Sequence, residues 1–154
     1  MKNILCVFGV FLCLNLNCFA DEIQEVQCFF NKYIDAANNY SSDYFDYYSN
    51  NAKIIRVVEK PDGTTQKVDI PLDTYKNETK KSTKLMKLRR YTNRYFNVKI
   101  TPHGKDYKVA ALRMPSTSDY KIPAHFIIGK DCKGEWKIKE ESMNTKVQKF
   151  LKQS

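Results

Sequence analysis

From Lys53 on, this chain carries six β-prone runs cut by turn residues, and one long one-sided helix stands ahead of them. That order restricts the fold to a multi-stranded sheet packed on an opening helix. Residues 22–40 carry apolar groups at Ile23, Val26, Phe30, Tyr33, Ile34 and Ala37, the spacing of a helix with a single buried stripe. Lys53–Lys60 and Thr64–Ile70 flank Pro61-Asp62-Gly63, which predicts a hairpin. Further strands are expected at Tyr95–Pro102, Tyr107–Met114, Tyr120–Gly129 and Glu135–Glu141, in a meander joined by polar turns. In the last run Trp136 and Ile138 alternate with Lys137 and Lys139, which assigns the two pairs to opposite faces.

Three shorter helical segments complete the expectation. Ser42–Tyr48 has cap residues at its start and an aromatic surface of Tyr44, Phe45, Tyr47 and Tyr48. Asp73–Tyr91 follows Pro71, with Tyr75, Leu85, Met86 and Leu88 as its inward residues. Asn144–Lys152 makes a terminal helix anchored by Val147, Phe150 and Leu151.

The N-terminus reads as an address. Lys2, the apolar run Ile4–Leu14 and the small residues Cys18 and Ala20 before Asp21-Glu22 have the layout of a secretory leader cleaved after Ala20. Its apolar core is too short to remain as a membrane span. The expectation is a periplasmic or secreted protein in three parts: leader 1–20, a domain over 21–143, and a tail at 144–154. Cys28 and Cys132 alone remain after the leader, and in an oxidising compartment an even pair reads as a disulfide.

Formal charge is +9, and most of it is local. Between Lys76 and Arg94 there are eight basic residues and one acid, Glu78. Lys80, Lys84, Lys87 and Arg90 are the candidates for docking on an anionic surface such as lipid or a cell-wall polymer. Export argues against nucleic acid as the partner.

The opening helix Ile23–Ala37, the aromatic segment Tyr44–Tyr48, the strand Ile54–Val58 and the closing strand Glu135–Glu141 with Trp136 stand in an order that resembles the nuclear-transport-factor-2-like superfamily, also called cystatin-like or SnoaL-like. The resemblance covers about residues 22–142 and rests on element order. It implies an α+β fold, a cystatin-like curved mixed sheet wrapped around the N-terminal helices to form a cone; the short leader adds that this is an exported bacterial member. The resemblance also implies a homodimer through the outer sheet face. The superfamily includes isomerases, dehydratases, cyclases and non-catalytic envelope or secretion subunits, so the fold alone supplies no mechanism.

For an enzyme of this kind, acids or a His–Asp pair must converge in the cone. The catalytic candidates are Tyr33, Asp46 and His125. His103 sits in a turn, and His125 interrupts the apolar set Ile122, Ala124, Phe126 and Ile128, which assigns it to the other face. Arg113 breaks the run Val109–Met114; it is expected beside His125, opposite Leu112 and Phe126, to clamp an anion or to pair with Glu140 or Glu141. No second acid is expected on an inward face, because Asp106, Asp119 and Asp131 read as turn residues. No spacing of Cys, His or acids suggests a metal, and no glycine-rich phosphate loop suggests a nucleotide cofactor. The expected role is therefore non-catalytic: a small apolar ligand lined by Tyr33, Tyr44, Tyr48, Arg113 and Trp136, or an envelope protein partner. The competing expectations are a small isomerase, dehydratase or cyclase acting in the cone, and a subunit of an envelope or secretion assembly.

Overall fold

The computed structural model describes residues 7–153, with side chains from Asp21 to Leu151. Helix α1 (Val7–Asn38) is followed by a 3₁₀ turn (Tyr44–Tyr47), strands β1 (Tyr48–Glu59) and β2 (Thr65–Ile70), and helix α2 (Leu72–Leu88). Strands β3 (Asn93–His103), β4 (Asp106–Pro115), β5 (Ile122–Lys130) and β6 (Trp136–Thr145) follow, then a 3₁₀ helix (Gln148–Gln153). Residues 1–6 of the expected leader lie outside the described residues, and 7–20 are the start of α1. No helix among the described residues is long and apolar enough to cross a membrane.

The six strands form one sheet in the order β2-β1-β6-β5-β4-β3. Only β1 and β6 run parallel, so the chain's first and last strands meet in the middle of the sheet. The sheet is curved and does not close. On α1, Val26, Phe30 and Tyr33 are buried, as the helical spacing predicts; Ala36 is buried in place of Ala37, and Ile23, Ile34 and Ala37 are half-buried. Phe30 and Tyr33 both meet Phe126 of β5 edge-on, with ring centroids 5.0 and 5.6 Å apart. Burying such rings supplies most of the driving force at this contact.

Both helices end without glycine. Tyr40 and Arg90 adopt φ of 54° and 49°, and the amides of Ser41 and Tyr91 reach back to the carbonyls of Ala36 and Met86. Left-handed backbone costs a residue with a Cβ about 1 kcal/mol. At Tyr40 a tertiary contact offsets that cost, because its hydroxyl donates to the carbonyls of Met86 and Tyr91 (3.1 and 2.5 Å). The two helix ends are thereby tied together.

Two expected helices are corrected. The aromatic segment is one 3₁₀ turn, because Tyr48 already pairs with Ile138 as the first residue of β1. The terminal segment begins later than expected: β6 continues to Thr145 against β1, and the tail closes as a short 3₁₀ helix. On α2 the inner stripe is Tyr75, Thr79, Thr83 and Met86, while Leu85 and Leu88 are 47% and 82% exposed. Leu88 therefore faces solvent, contrary to the apolar pattern.

The expected disulfide is not formed: Cys28 and Cys132 are free and exposed. Cys28 lies two positions past Val26, about 200° round the helix from the buried stripe, and so faces solvent.

The closing strand departs from simple alternation at one place. Ile127 pairs with Glu140 and Ile128 with Ile138, which leaves Lys139 as a β-bulge. Lys139 Nζ reaches Asp106 Oδ1 at 2.7 Å. That pair lies over Gly129, where any Cβ would come within 1.9 Å of Asp106 Oδ1. The extra residue reverses the parity of everything after it. Ile138 and Glu141 are both completely buried, three positions apart.

Candidate functional site

Glu141 is the centre of a polar cluster beneath the open end of the sheet. Its Oε1 accepts from Arg56 Nη2 at 2.7 Å, and its Oε2 accepts from the hydroxyls of Tyr48 (2.5 Å) and Tyr33 (3.1 Å). Tyr44 Oη lies 2.9 Å from that of Tyr48, 3.2 Å from that of Tyr33 and 3.1 Å from that of Tyr75. Each phenol has one proton. With those of Tyr33 and Tyr48 directed to Glu141, Tyr44 donates to one of them and Tyr75 donates to Tyr44. The whole array points its protons at one carboxylate.

Local sequence explains each placement. Arg56 has the parity of Ile54 and Val58 on β1, so its side chain enters the concave side. Ile54 is the register partner of Glu141, which brings Arg56 to the carboxylate diagonally. Tyr33 comes from the buried stripe of α1, Tyr48 from the start of β1, and Tyr75 from the first turn of α2. The Arg56 guanidinium lies 5.2 Å from the Tyr75 ring centroid and 5.9 Å from that of Phe150.

Burial and charge keep the phenols and the guanidinium of this cluster protonated at neutral pH. Burial, then the charge of Glu141, holds the phenols of Tyr33 and Tyr48 well above their ordinary range. Burial and then Tyr75 do the same for Tyr44. Burial works against the charge of Arg56, but Glu141 outweighs it and keeps the guanidinium protonated. The carboxylate already accepts from three donors and is completely buried, so it is closed off from any molecule above it.

Above the cluster opens a cavity of about 970 Å³, between α2, the end of α1, the 3₁₀ turn and the chain's last residues. Tyr44, Phe45, Tyr75, Tyr91 and Phe150 give it aromatic walls, and Met86 adds a flexible apolar one. Arg56, Lys80, Arg89, Arg113 and Lys149 are its charged members; no Asp or Glu is among its described lining residues. Arg113 has the parity of Val109 and Ala111 on β4 and pairs with Ile122, so it shares the concave face with Phe126. Its Nη1 donates to Asn93 Oδ1 at 3.2 Å, while its buried Nε has no partner.

The predicted site residues divide accordingly. Tyr44 and Arg113 line the cavity, and Tyr33 and Tyr48 lie in the cluster below it. Trp136 belongs elsewhere: its Nε1 donates to Glu25 on α1 at 3.0 Å, and it packs on Tyr107. Asp46 is exposed in the 3₁₀ turn and does not approach Tyr33's hydroxyl partners. His125 lies on the convex face in a shallow cleft with His103, Lys108 and Glu140, so Arg113 and His125 stand on opposite faces. Desolvation, then Lys108, holds its imidazole below the ordinary value. Arg113 does not pair with Glu140 or Glu141, since Glu141 belongs to Arg56. Of the basic set, Lys80 lines the cavity, and Lys80, Lys84, Lys87 and Arg90 are all exposed.

Glu141 and Arg56 were not among the sequence candidates. A parity break was the available signal, since Ile138 and Met143 cannot share a face on an unbroken strand. For Arg56 the signal was a charge inside a β-branched run, in phase with Ile54 and Val58.

No family model matches the sequence, and no curated protein matches it. Solved structures do share its fold. A nuclear-transport-factor-2-like protein with a cystatin-like fold from Novosphingobium aromaticivorans superposes with a TM-score of 0.62 at 8% identity, covering 92% of this chain and 91% of that one. A nuclear-transport-factor-2-like protein from Cytophaga hutchinsonii gives 0.56 at 14% identity, over 79% of this chain and 96% of that one. Bd1075 of Bdellovibrio bacteriovorus gives 0.53 at 15% identity over 78% of this chain, which spans only 39% of that longer protein. The chain is an α+β protein with the nuclear-transport-factor-2-like, cystatin-like fold.

Proposed function

We propose that this protein binds a small molecule with an apolar body in the cavity of its cone and does not transform it. One observation carries the reading. The cavity is walled by aromatic rings, while the one carboxylate beneath it is shut away and saturated with hydrogen bonds. A volume of about 970 Å³ lies at the upper end of the range for small-molecule sites, and mostly apolar walls with a few polar groups are their usual lining. Catalysis of the proton-transfer kind needs an acid or base in reach of the ligand, and the tyrosines here are poor acids held to each other.

Filling the space tests this. Thr83 lies midway along the inner stripe of α2, and Thr83→Trp puts an indole into the cavity. An environment-sensitive apolar dye such as Nile red is expected to brighten on the native chain and to lose most of that signal on the variant. Equal brightening by both would place the dye elsewhere and remove the reading.

A further inference from the structure

We infer that the ligand of this cavity is an organic monoanion, a carboxylate carried on an apolar body, and that Arg113 receives its charged end. The inference rests on the cone being a ligand site. Five cations and no described acid line the cavity, but they are not equivalent. Arg56 is already neutralised by Glu141 at 2.7 Å. Lys80, Arg89 and Lys149 are exposed, where water screens them. Arg113 alone combines a half-buried position with no carboxylate partner in any ion pair of the described residues.

Its geometry is more specific than its charge. A guanidinium offers two paired edges to a carboxylate, and Nη1 is taken by Asn93 Oδ1. Nε and Nη2 form the remaining edge, and Nε is buried without a hydrogen bond. Buried donors are nearly always satisfied, so an orphaned one on a side chain that lines the cavity marks a donor still lacking a partner. Asn93 is itself fixed: Asn38 holds its backbone on both sides (2.8 and 3.0 Å), and Tyr91 donates to the same Oδ1 at 3.3 Å. Arg113 is therefore held beside the cavity rather than carried on a floppy stem. One fork balances one negative charge, and the aromatic walls cover the rest of the molecule.

Two probes with one body separate the parts: pyrenebutyric acid and its alcohol, pyrenebutanol. The acid is expected to bind the native chain roughly 10- to 100-fold more tightly than the alcohol, the worth of hydrogen bonds to a charged group. Arg113→Gln should erase that preference and leave alcohol binding within about twofold. Arg113→Lys keeps the charge without the fork, so it serves if the glutamine variant fails to fold; it should lose most of the preference. Equal affinity of the native chain for both probes overturns the anion inference and leaves the cone a ligand site. A preference that survives both Arg113 variants assigns the charge to the rim cations and overturns the role of Arg113. Binding of neither probe overturns the inference and the proposed function together.

Discussion

Glu141 shows how much of this molecule turns on one side chain. It is completely buried, and its charge is met by Arg56 and two phenols. A buried ion pair of this kind adds little net stability over apolar residues of the same shape, because desolvating both ions offsets their attraction. Removing one partner is another matter. Glu141→Gln leaves Arg56 charged, buried and unmatched, and is expected to cost about 3 kcal/mol or more. The double variant Glu141→Leu with Arg56→Leu should recover most of that loss. Urea denaturation reads both; a single variant costing under about 1 kcal/mol would mean that water reaches the pair. The array thus adds little net stability of its own, and its cost appears when one partner is lost alone.

At the scale of elements, α2 holds the same lesson about which residues face inward. Its cavity stripe runs through Thr79 and Thr83, which a hydropathy pattern scores as polar, while Leu85 and Leu88 look like core and are not. Leu88→Ser is therefore expected to change stability by no more than about 0.5 kcal/mol, whereas Met86→Ala should cost about 1 kcal/mol. Thermal melts of the two variants decide it, and the reverse order would mean that α2 packs the other way round. Element order was legible in the sequence because long one-sided periods and turn residues are local signals: α1, the hairpin and the meander stand where Ile23–Ala37, Pro61-Asp62-Gly63 and the later strands predict them. The site was less legible. A single inserted residue at Lys139 reverses the face of Glu141, and no local propensity records it. The face of Arg113 depended on its register with Ile122, a tertiary fact. The pattern marks Tyr33, Tyr44 and Tyr48 as an aromatic lining but carries no sign that the hydroxyls of Tyr33 and Tyr48 converge on one acid.

Across the whole molecule, the phenols under the cone couple folding to pH. Tyr33, Tyr44, Tyr48, Tyr75 and Tyr95 all have their ionisation pushed above the ordinary range near 10, in each case first by burial. A group whose folded-state pKa is raised holds its proton more firmly in the folded chain. Its stabilising contribution is complete below about pH 10 and is lost as pH climbs from there toward the folded value. The five losses act in the same direction, so the chain should unfold cooperatively as pH climbs above about 10. Phenolate absorbance from these five should rise in the same step as the loss of circular dichroism. If the five ionised gradually with the sheet intact, water would have to reach the floor of the cone, and the closed array around Glu141 could not exist as described.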